Sequence, residues 1–90
     1  MHNTAANLPA QLENDLASLI AERFFDSSCP VDAQTDLFAA GLDSMGIMQL
    51  VVIVEEKWNI ALESGDLTRE NFSTPQNLAA LMRRRSTPAQ

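Results

Sequence analysis

The chain has 90 residues, of which 46% are apolar and only three are glycine, so it can form one compact core and general disorder is excluded. Its formal net charge of −6 makes nucleic acid a poor partner, because an acidic surface repels phosphates. One cysteine and one histidine exclude an intrachain disulfide and a dense cysteine and histidine metal site, so we expect no metal ligands.

The sequence has no targeting or membrane-spanning pattern. No basic segment followed by an apolar stretch begins at Met1, and the longest unbroken apolar run, residues 50–54, is far too short to cross a bilayer. We therefore expect a cytoplasmic monomer without a membrane partner.

The first predicted helix covers residues 8–25, with Asn7 and Pro9 as its start signals. Its apolar side chains recur at helical spacing on one face, at Leu12, Leu16, Leu19, Ile20 and Phe24. The pattern stops in residues 26–43, which we predict to be a long connection. Connections of this length usually carry function or hidden turns. Three of its apolar residues are expected to point inward: Leu37, Phe38 and Leu42.

A second helix is predicted from Ser44 to about Lys57, and Asn59 helps to end it. At 100° per residue, one face of this helix forms a core-facing stripe of Ile47, Leu50, Val51, Val54 and Trp58.

Met45, Met48 and Val52 form a second apolar stripe, turned well away from the first. Either the helix is buried all round or this stripe is a docking surface. We favour docking, because a bundle of this size lacks the material to enclose a helix, and methionine adapts to several partners.

The third and fourth elements complete the predicted fold. A short element fits residues 66–71, and a last helix begins at Thr74 and Pro75, a cap residue followed by proline. Arginines at residues 83–85 suit the end of this helix. We predict an all-α bundle of three main helices and one short helix, with one folded domain at residues 8–85 and flexible ends at residues 1–7 and 86–90. The residues of the last helix expected in the core are Leu78, Leu81 and Met82.

The stretch GLDSMG places Ser44 between two glycines, an arrangement that resembles the catalytic serine of a hydrolase. A serine nucleophile needs a base, and the only histidine, His2, lies close to the chain's start, while the only lysine, Lys57, is remote in sequence. The spacing also differs from the G-x-S-x-G nucleophile elbow. We therefore expect no catalytic residue.

Two interpretations of Ser44 are then evenly matched on physical grounds. The serine can cap the second helix, as serines commonly do. It can also be a site for a covalently attached, phosphate-bearing group, because the N–H groups and the dipole of a helix N-terminus favour an anion. The glycines at positions 41 and 46 leave its hydroxyl uncrowded.

The run TDLFAAGLDSMGIMQLVVIVEEKW, residues 35–58, resembles the attachment region of acyl carrier proteins, whose signature is D-x-F-x-x-G-x-D-S-[LM]. The later Phe72, Thr74 and Leu78 extend the resemblance over nearly the whole chain. The residues that match the signature are Asp36, Phe38, Gly41, Asp43, Ser44 and Met45.

This resemblance implies a four-helix carrier fold without catalytic activity of its own. A phosphopantetheinyl transferase would join 4′-phosphopantetheine from coenzyme A to Ser44, and Asp43 would help to place magnesium and the cofactor during the transfer. The cofactor's thiol would carry an acyl group as a thioester, and partner enzymes would perform the chemistry.

The cargo is a separate question. Carriers of fatty acid synthesis usually hold acids on the face after the serine, whereas this chain has Gly46 and Gln49 there. The stretches DSMGIMQL and RENFSTPQNL look more like D-alanyl carrier proteins and freestanding aminoacyl carriers. This likeness implies an ATP-dependent amino acid-activating ligase and a downstream acyl acceptor enzyme as partners. The expected docking residues are Met45, Met48, Gln49 and Val52.

Two alternatives stay open at this point. A fatty acyl or polyketide carrier differs from an aminoacyl carrier only in its cargo. A helical protein-interaction adaptor belongs to another class, because it would use the Met45, Met48 and Val52 stripe while Ser44 stays unmodified.

Overall fold

A computed structural model describes Leu8, residues 10–25 and residues 30–86. It contains four α-helices: α1 (Leu12–Phe24), α2 (Leu37–Ala40), α3 (Ser44–Trp58) and α4 (Pro75–Ser86). A 3₁₀ helix, Ser64–Asp66, lies between α3 and α4. These ranges include no strand, and the predicted all-α fold with three main helices and one short helix is confirmed, although the short helix is Leu37–Ala40 and does not lie at residues 66–71.

The first helix is shorter than predicted. It begins at Leu12 and not at residue 8, because the first helical hydrogen bond runs from the Asp15 N–H to the Gln11 carbonyl at 3.0 Å. Leu8 still packs, partly buried, against the core from outside the helix. The predicted start signals, Asn7 and Pro9, lie outside the described residues. Of the predicted flexible ends, residues 1–7 and 86–90, only Ser86 is described, and it is the last residue of α4.

The short helix α2 lies inside the stretch that we predicted to be a connection. Asp36 begins it, since its Oδ1 accepts hydrogen bonds from the N–H groups of Phe38 and Ala39, each at 3.1 Å. Gly41 ends it with a φ of 125°, which side-chain-bearing residues rarely adopt. Leu37 is fully buried. The predicted long connection therefore contains a short, capped helix that is anchored in the core.

Two backbone hydrogen bonds attach this segment to the start of α4. The Leu37 N–H donates to the Ser73 carbonyl at 2.8 Å, and the Gln76 N–H donates to the Ala33 carbonyl at 2.9 Å. The Arg69 guanidinium also lies over the Phe38 ring, 4.3 Å from its centroid. The position of α2 therefore depends on residues more than thirty places away in sequence.

The two predicted stripes of α3 are confirmed. Leu50 and Val54 are fully buried, and the other members of the core-facing stripe pack against the core while half-buried. Asn59 adopts a left-handed conformation with a φ of 57°, and its N–H donates to the Glu55 carbonyl. Asn59 therefore ends the helix as predicted, one residue after Trp58.

The predicted short element at residues 66–71 is wrong. A 3₁₀ turn at Ser64–Asp66 is followed by irregular turns up to Phe72. The reason is that the Asp66 carboxylate accepts the Glu63 N–H at 2.9 Å, while the Asn71 amide donates to the Asp66 carbonyl at 2.9 Å. These local side-chain bonds compete with helical ones.

The last helix begins as its sequence predicts. The Thr74 hydroxyl oxygen accepts the Asn77 N–H at 3.0 Å, and Pro75 is the first helical residue. Its core residues are all fully buried, namely Leu78, Leu81 and Met82.

The arginines at residues 83–85 do more than end α4 favourably. Arg83 donates to both oxygens of Glu13 on α1, at 2.7 and 3.2 Å. Arg85 donates to both oxygens of the buried Asp66, each at 2.7 Å. The run therefore ties α4 to α1 and to the 3₁₀ turn, which the helix-end prediction did not include.

These contacts predict how stability depends on pH. The Arg85 hydrogen bonds, followed by the Glu63 N–H, hold the pKa of the Asp66 carboxyl below its ordinary value, and the Arg83 hydrogen bond lowers the pKa of Glu13 in the same way. A lowered folded-state pKa stabilises the fold above the unfolded pKa, and this stability is lost as pH falls through the folded pKa.

We therefore expect the urea midpoint to be constant from pH 7 to about pH 5 and to fall below that. In Asp66→Asn, the midpoint should be lower at pH 7 and should fall less between about pH 5 and pH 3, because one of the two carboxyls no longer titrates. Equal acid sensitivity in both proteins would contradict a role for Asp66.

Candidate functional site

Ser44 is the first residue of α3, and its side chain is exposed. Asp43 is the cap: its Oδ1 accepts the Gly46 N–H at 2.9 Å, and its carbonyl accepts the Ile47 N–H at 2.9 Å. The interpretation of Ser44 as the helix cap is therefore wrong. Within the described part of the chain, the Ser44 hydroxyl makes no hydrogen bond, so it is free to react.

Gly46 allows the residues before the serine to pack closely. A Cβ at this position would come within 2.6 Å of the Leu42 Cδ1 atom, which is closer than real contacts allow. Leu42 is buried under the first turn of α3, and its N–H donates to the Leu37 carbonyl at 2.9 Å. The sequence indicated only that Gly46 leaves the hydroxyl uncrowded, whereas the missing side chain also leaves room for Leu42 to pack against the first turn of α3.

The N-terminus of α3 has the features that a phosphate-linked arm needs. The N–H groups of Ser44 and Met45 lie in the first turn, where a helix offers no acceptor of its own, and the helix dipole adds partial positive charge. A depression of about 240 Å³ opens beside the turn, with Phe25, Asp43 and Gln49 in its walls. The free hydroxyl, the N–H groups and the adjacent space fit a phosphopantetheine group.

The outward stripe of α3 is a true surface feature. Met45, Met48 and Val52 are 70%, 56% and 52% exposed, which excludes a helix buried all round. Together with Gln49 and Ile53 they line an open groove of about 480 Å³. Sequence reasoning missed Ile53, because its position on the helix lies between the outward stripe and the core-facing one.

Two general findings concern only the described ranges. No helix there is long and apolar enough to cross a membrane. No three histidine, cysteine, aspartate or glutamate side chains of those ranges come together in an arrangement that could hold a metal ion.

The fold and the site together indicate a class. Within the described residues, a small helical bundle exposes a serine hydroxyl at the first residue of a helix with an outward-facing apolar stripe, which is the arrangement expected of a carrier protein.

Comparison with known proteins identifies the family. A family profile described as "Phosphopantetheine attachment site" matches residues 14–82. The chain is 32% identical over 72 residues to aminoacyl carrier protein 2 of Bradyrhizobium diazoefficiens, and this alignment covers 80% of this chain and 79% of that relative. It is 31% identical over 68 residues to the D-alanyl carrier protein of Streptococcus suis, and this alignment covers 74% of this chain and 85% of that relative. The chain belongs to the phosphopantetheine-attachment family of carrier proteins.

Family membership establishes the main function. The protein is a carrier with a 4′-phosphopantetheine prosthetic group and has no catalytic activity of its own. Carriers of this kind work with a phosphopantetheinyl transferase and with enzymes that load and use acyl groups. The comparisons therefore support a carrier and not the alternative of an unmodified protein-interaction adaptor.

Some of the residues that carry the resemblance to aminoacyl carriers have a structural role. In the stretch RENFSTPQNL, Thr74 caps α4, and the Asn77 amide donates to the Glu70 carbonyl at 3.0 Å and to the Ser73 hydroxyl at 2.9 Å. Similarly, Glu55 Oε2 accepts the Leu62 N–H at 2.8 Å. These residues hold turns in place, so their presence is explained by the fold and does not by itself indicate the cargo.

Proposed function

We propose that Ser44 carries the 4′-phosphopantetheine arm. The observation that supports this proposal is the free, exposed hydroxyl at the first position of α3, beside a cap that Asp43 alone provides. A phosphate joined to the Ser44 oxygen would lie at the helix N-terminus, where an anion is stabilised. The arm's terminal thiol would then hold the cargo for partner enzymes.

We further propose that the cargo is an aminoacyl group, loaded by an ATP-dependent amino acid-activating ligase and passed to a downstream acyl acceptor enzyme. The groove beyond Ser44 supports this, because its exposed residues are apolar or neutral where fatty acid carriers usually hold acids. The names of the two relatives, an aminoacyl carrier and a D-alanyl carrier, favour the same cargo. A cytoplasmic location and a monomeric state stay predictions.

A loading experiment tests the cargo. The phosphopantetheine-bearing protein is offered a panel of amino acid-activating ligases with ATP and amino acids, and in parallel acyl-activating ligases with fatty acids. Loading is read by intact mass. We expect a gain of one aminoacyl group and no fatty acyl group. Loading by fatty acids alone would replace the aminoacyl proposal with the fatty acyl alternative, while the attachment at Ser44 would stand.

Asp43 should act in two separable ways, as the helix cap and through its negative charge. Asparagine caps helices as well as aspartate does, so Asp43→Asn should leave the unfolding free energy unchanged within about 0.5 kcal/mol, whereas Asp43→Ala should cost about 1 kcal/mol. If the carboxylate also helps to place magnesium during transfer, both variants should accept phosphopantetheine at least about tenfold more slowly. Normal transfer rates in Asp43→Asn would limit Asp43 to capping.

A further inference from the structure

The free cations of this acidic protein are unevenly distributed. Twelve acids and only three bases precede Arg83, and of the six bases in the chain, Arg83 and Arg85 pair with acids while Arg69 covers an aromatic ring. Within the described part of the chain, Arg84 on α4 forms no ion pair, and neither do Arg23 and Lys57, which lie near each other on α1 and α3. Both are exposed, so their charges are available to a partner.

Arg23 and Lys57 share one depression. Arg23 lies in the last turn of α1 and Lys57 in the last turn of α3, and with Ile53 and Glu56 they line a space of about 290 Å³. Glu56 offsets one of the two positive charges, so the depression keeps a net positive character. The Lys57 amine also lies 5.6 Å from the centroid of the Trp58 ring, which leaves its charge unneutralised.

This depression continues the apolar groove. Ile53 lines both spaces, so the surface runs from Met45 beside the attachment serine along α3 to the two cations. A cation in the last turn of a helix is favourable by itself, which explains why each residue stands where it does. It does not explain why two cations on different helices converge at the end of an exposed apolar groove.

We propose that the loading ligase docks on this combined surface, placing apolar side chains over the groove and one aspartate or glutamate carboxylate between Arg23 and Lys57. A partner carboxylate would be repelled over most of this chain, which carries a net −6, so the depression fixes both the position and the direction of docking. The inference rests on the proposed aminoacyl function and adds the chemistry of the ligase's contact surface.

Charge reversal tests the inference. The ligase found to load the wild-type protein is used with phosphopantetheine-bearing Arg23→Glu and Lys57→Glu, and the KM for the carrier is measured separately from kcat. We expect KM to rise about five- to tenfold in each variant, with kcat unchanged within about twofold, because the contact lies away from the reacting thiol. Raising the ionic strength should increase KM for the wild type and have less effect on the variants.

Arg84→Glu is the matched control. Arg84 is exposed on α4, forms no ion pair within the described ranges and lines neither the groove nor the depression. Its charge reversal changes the net charge by the same amount as the other two reversals, but away from the proposed docking surface. Its KM should change less than about twofold. The conservative Arg23→Lys and Lys57→Arg should keep the wild-type KM, and circular dichroism checks that every variant folds.

The outcomes separate the inference from the function. If a ligase loads the wild type but Arg23→Glu and Lys57→Glu behave like Arg84→Glu, the docking inference is overturned and the aminoacyl function stands. An effect on kcat alone would overturn it as well. If no amino acid is loaded by any ligase of the panel, the proposed cargo fails and the docking inference fails with it.

Discussion

Ser44→Ala is expected to gain no phosphopantetheine when it is incubated with coenzyme A, magnesium and a broad phosphopantetheinyl transferase, whereas the wild-type protein gains one. The physical reason is the loss of the only atom to which the phosphate would be joined at this position, the Ser44 hydroxyl oxygen. Intact mass spectrometry reads the result directly, since each attached arm adds one defined mass.

Loss of folding should not account for this result. The Ser44 side chain is exposed and makes no hydrogen bond within the described residues, and alanine favours helices, so the unfolding free energy should change by less than about 0.5 kcal/mol. Ser18→Ala is a matched control, because Ser18 is also an exposed helical serine and should leave the transfer intact. A modified Ser44→Ala protein would place the attachment elsewhere. A wild type that several transferases leave unmodified would overturn Ser44 as the attachment site.

Local sequence was sufficient to predict which faces of a helix are buried or exposed, because apolar side chains recur at helical spacing. The core-facing stripe of α3 and its outward stripe follow from a 3.6-residue period, and burial confirmed both, with Leu50 fully buried and Met45 exposed. The start of α4 was equally visible, because threonine followed by proline is a local signal that needs no distant partner.

Elements that depend on distant residues were missed. The helix α2 has only four residues, too few to show a period, and its place is fixed by the bond between Leu37 and Ser73. Residues 66–71 read as helix-compatible, but the Asp66 carboxylate binds Arg85, nineteen positions later, and the Glu63 N–H. The Arg85 contact is long-range and leaves no trace in a local pattern, while the Glu63 bond is local and competes with a helical one.

The candidate site divides in the same way. The sequence predicted the importance of Asp43 and Ser44, but it offered Ser44 and not Asp43 as a cap of α3, because the cap depends on backbone angles and on which oxygen reaches the Gly46 N–H. The depression between Arg23 and Lys57 was also beyond prediction, since it forms only where the ends of α1 and α3 meet.

Phe72→Ala should be the most destabilising of the substitutions considered, at about 3–5 kcal/mol of unfolding free energy. Phe72 is fully buried and is the largest such side chain in the described core, so its removal leaves a cavity that a small domain fills poorly. A domain of this size has only about 5–15 kcal/mol of stability in total, so much of it would be lost. Urea denaturation measures the change, and Phe72→Leu, which keeps most of the apolar volume, should cost only about 1–1.5 kcal/mol.

The effect of Phe72→Ala should reach Ser44, the proposed attachment residue, through the backbone. Phe72 anchors the turn that ends at Ser73, whose carbonyl accepts the Leu37 N–H, and α2 leads directly to the cap at Asp43. In the fraction of molecules that stay folded, hydrogen exchange at the Leu37 amide should therefore be faster than in Phe72→Leu, because local opening needs less free energy. Exchange at Leu37 that is equal in the two variants, despite a large difference in unfolding free energy, would show that α2 is held independently of Phe72. A loosened α2 would give the transferase a less ordered serine, so transfer to folded Phe72→Ala should be slower than to Phe72→Leu.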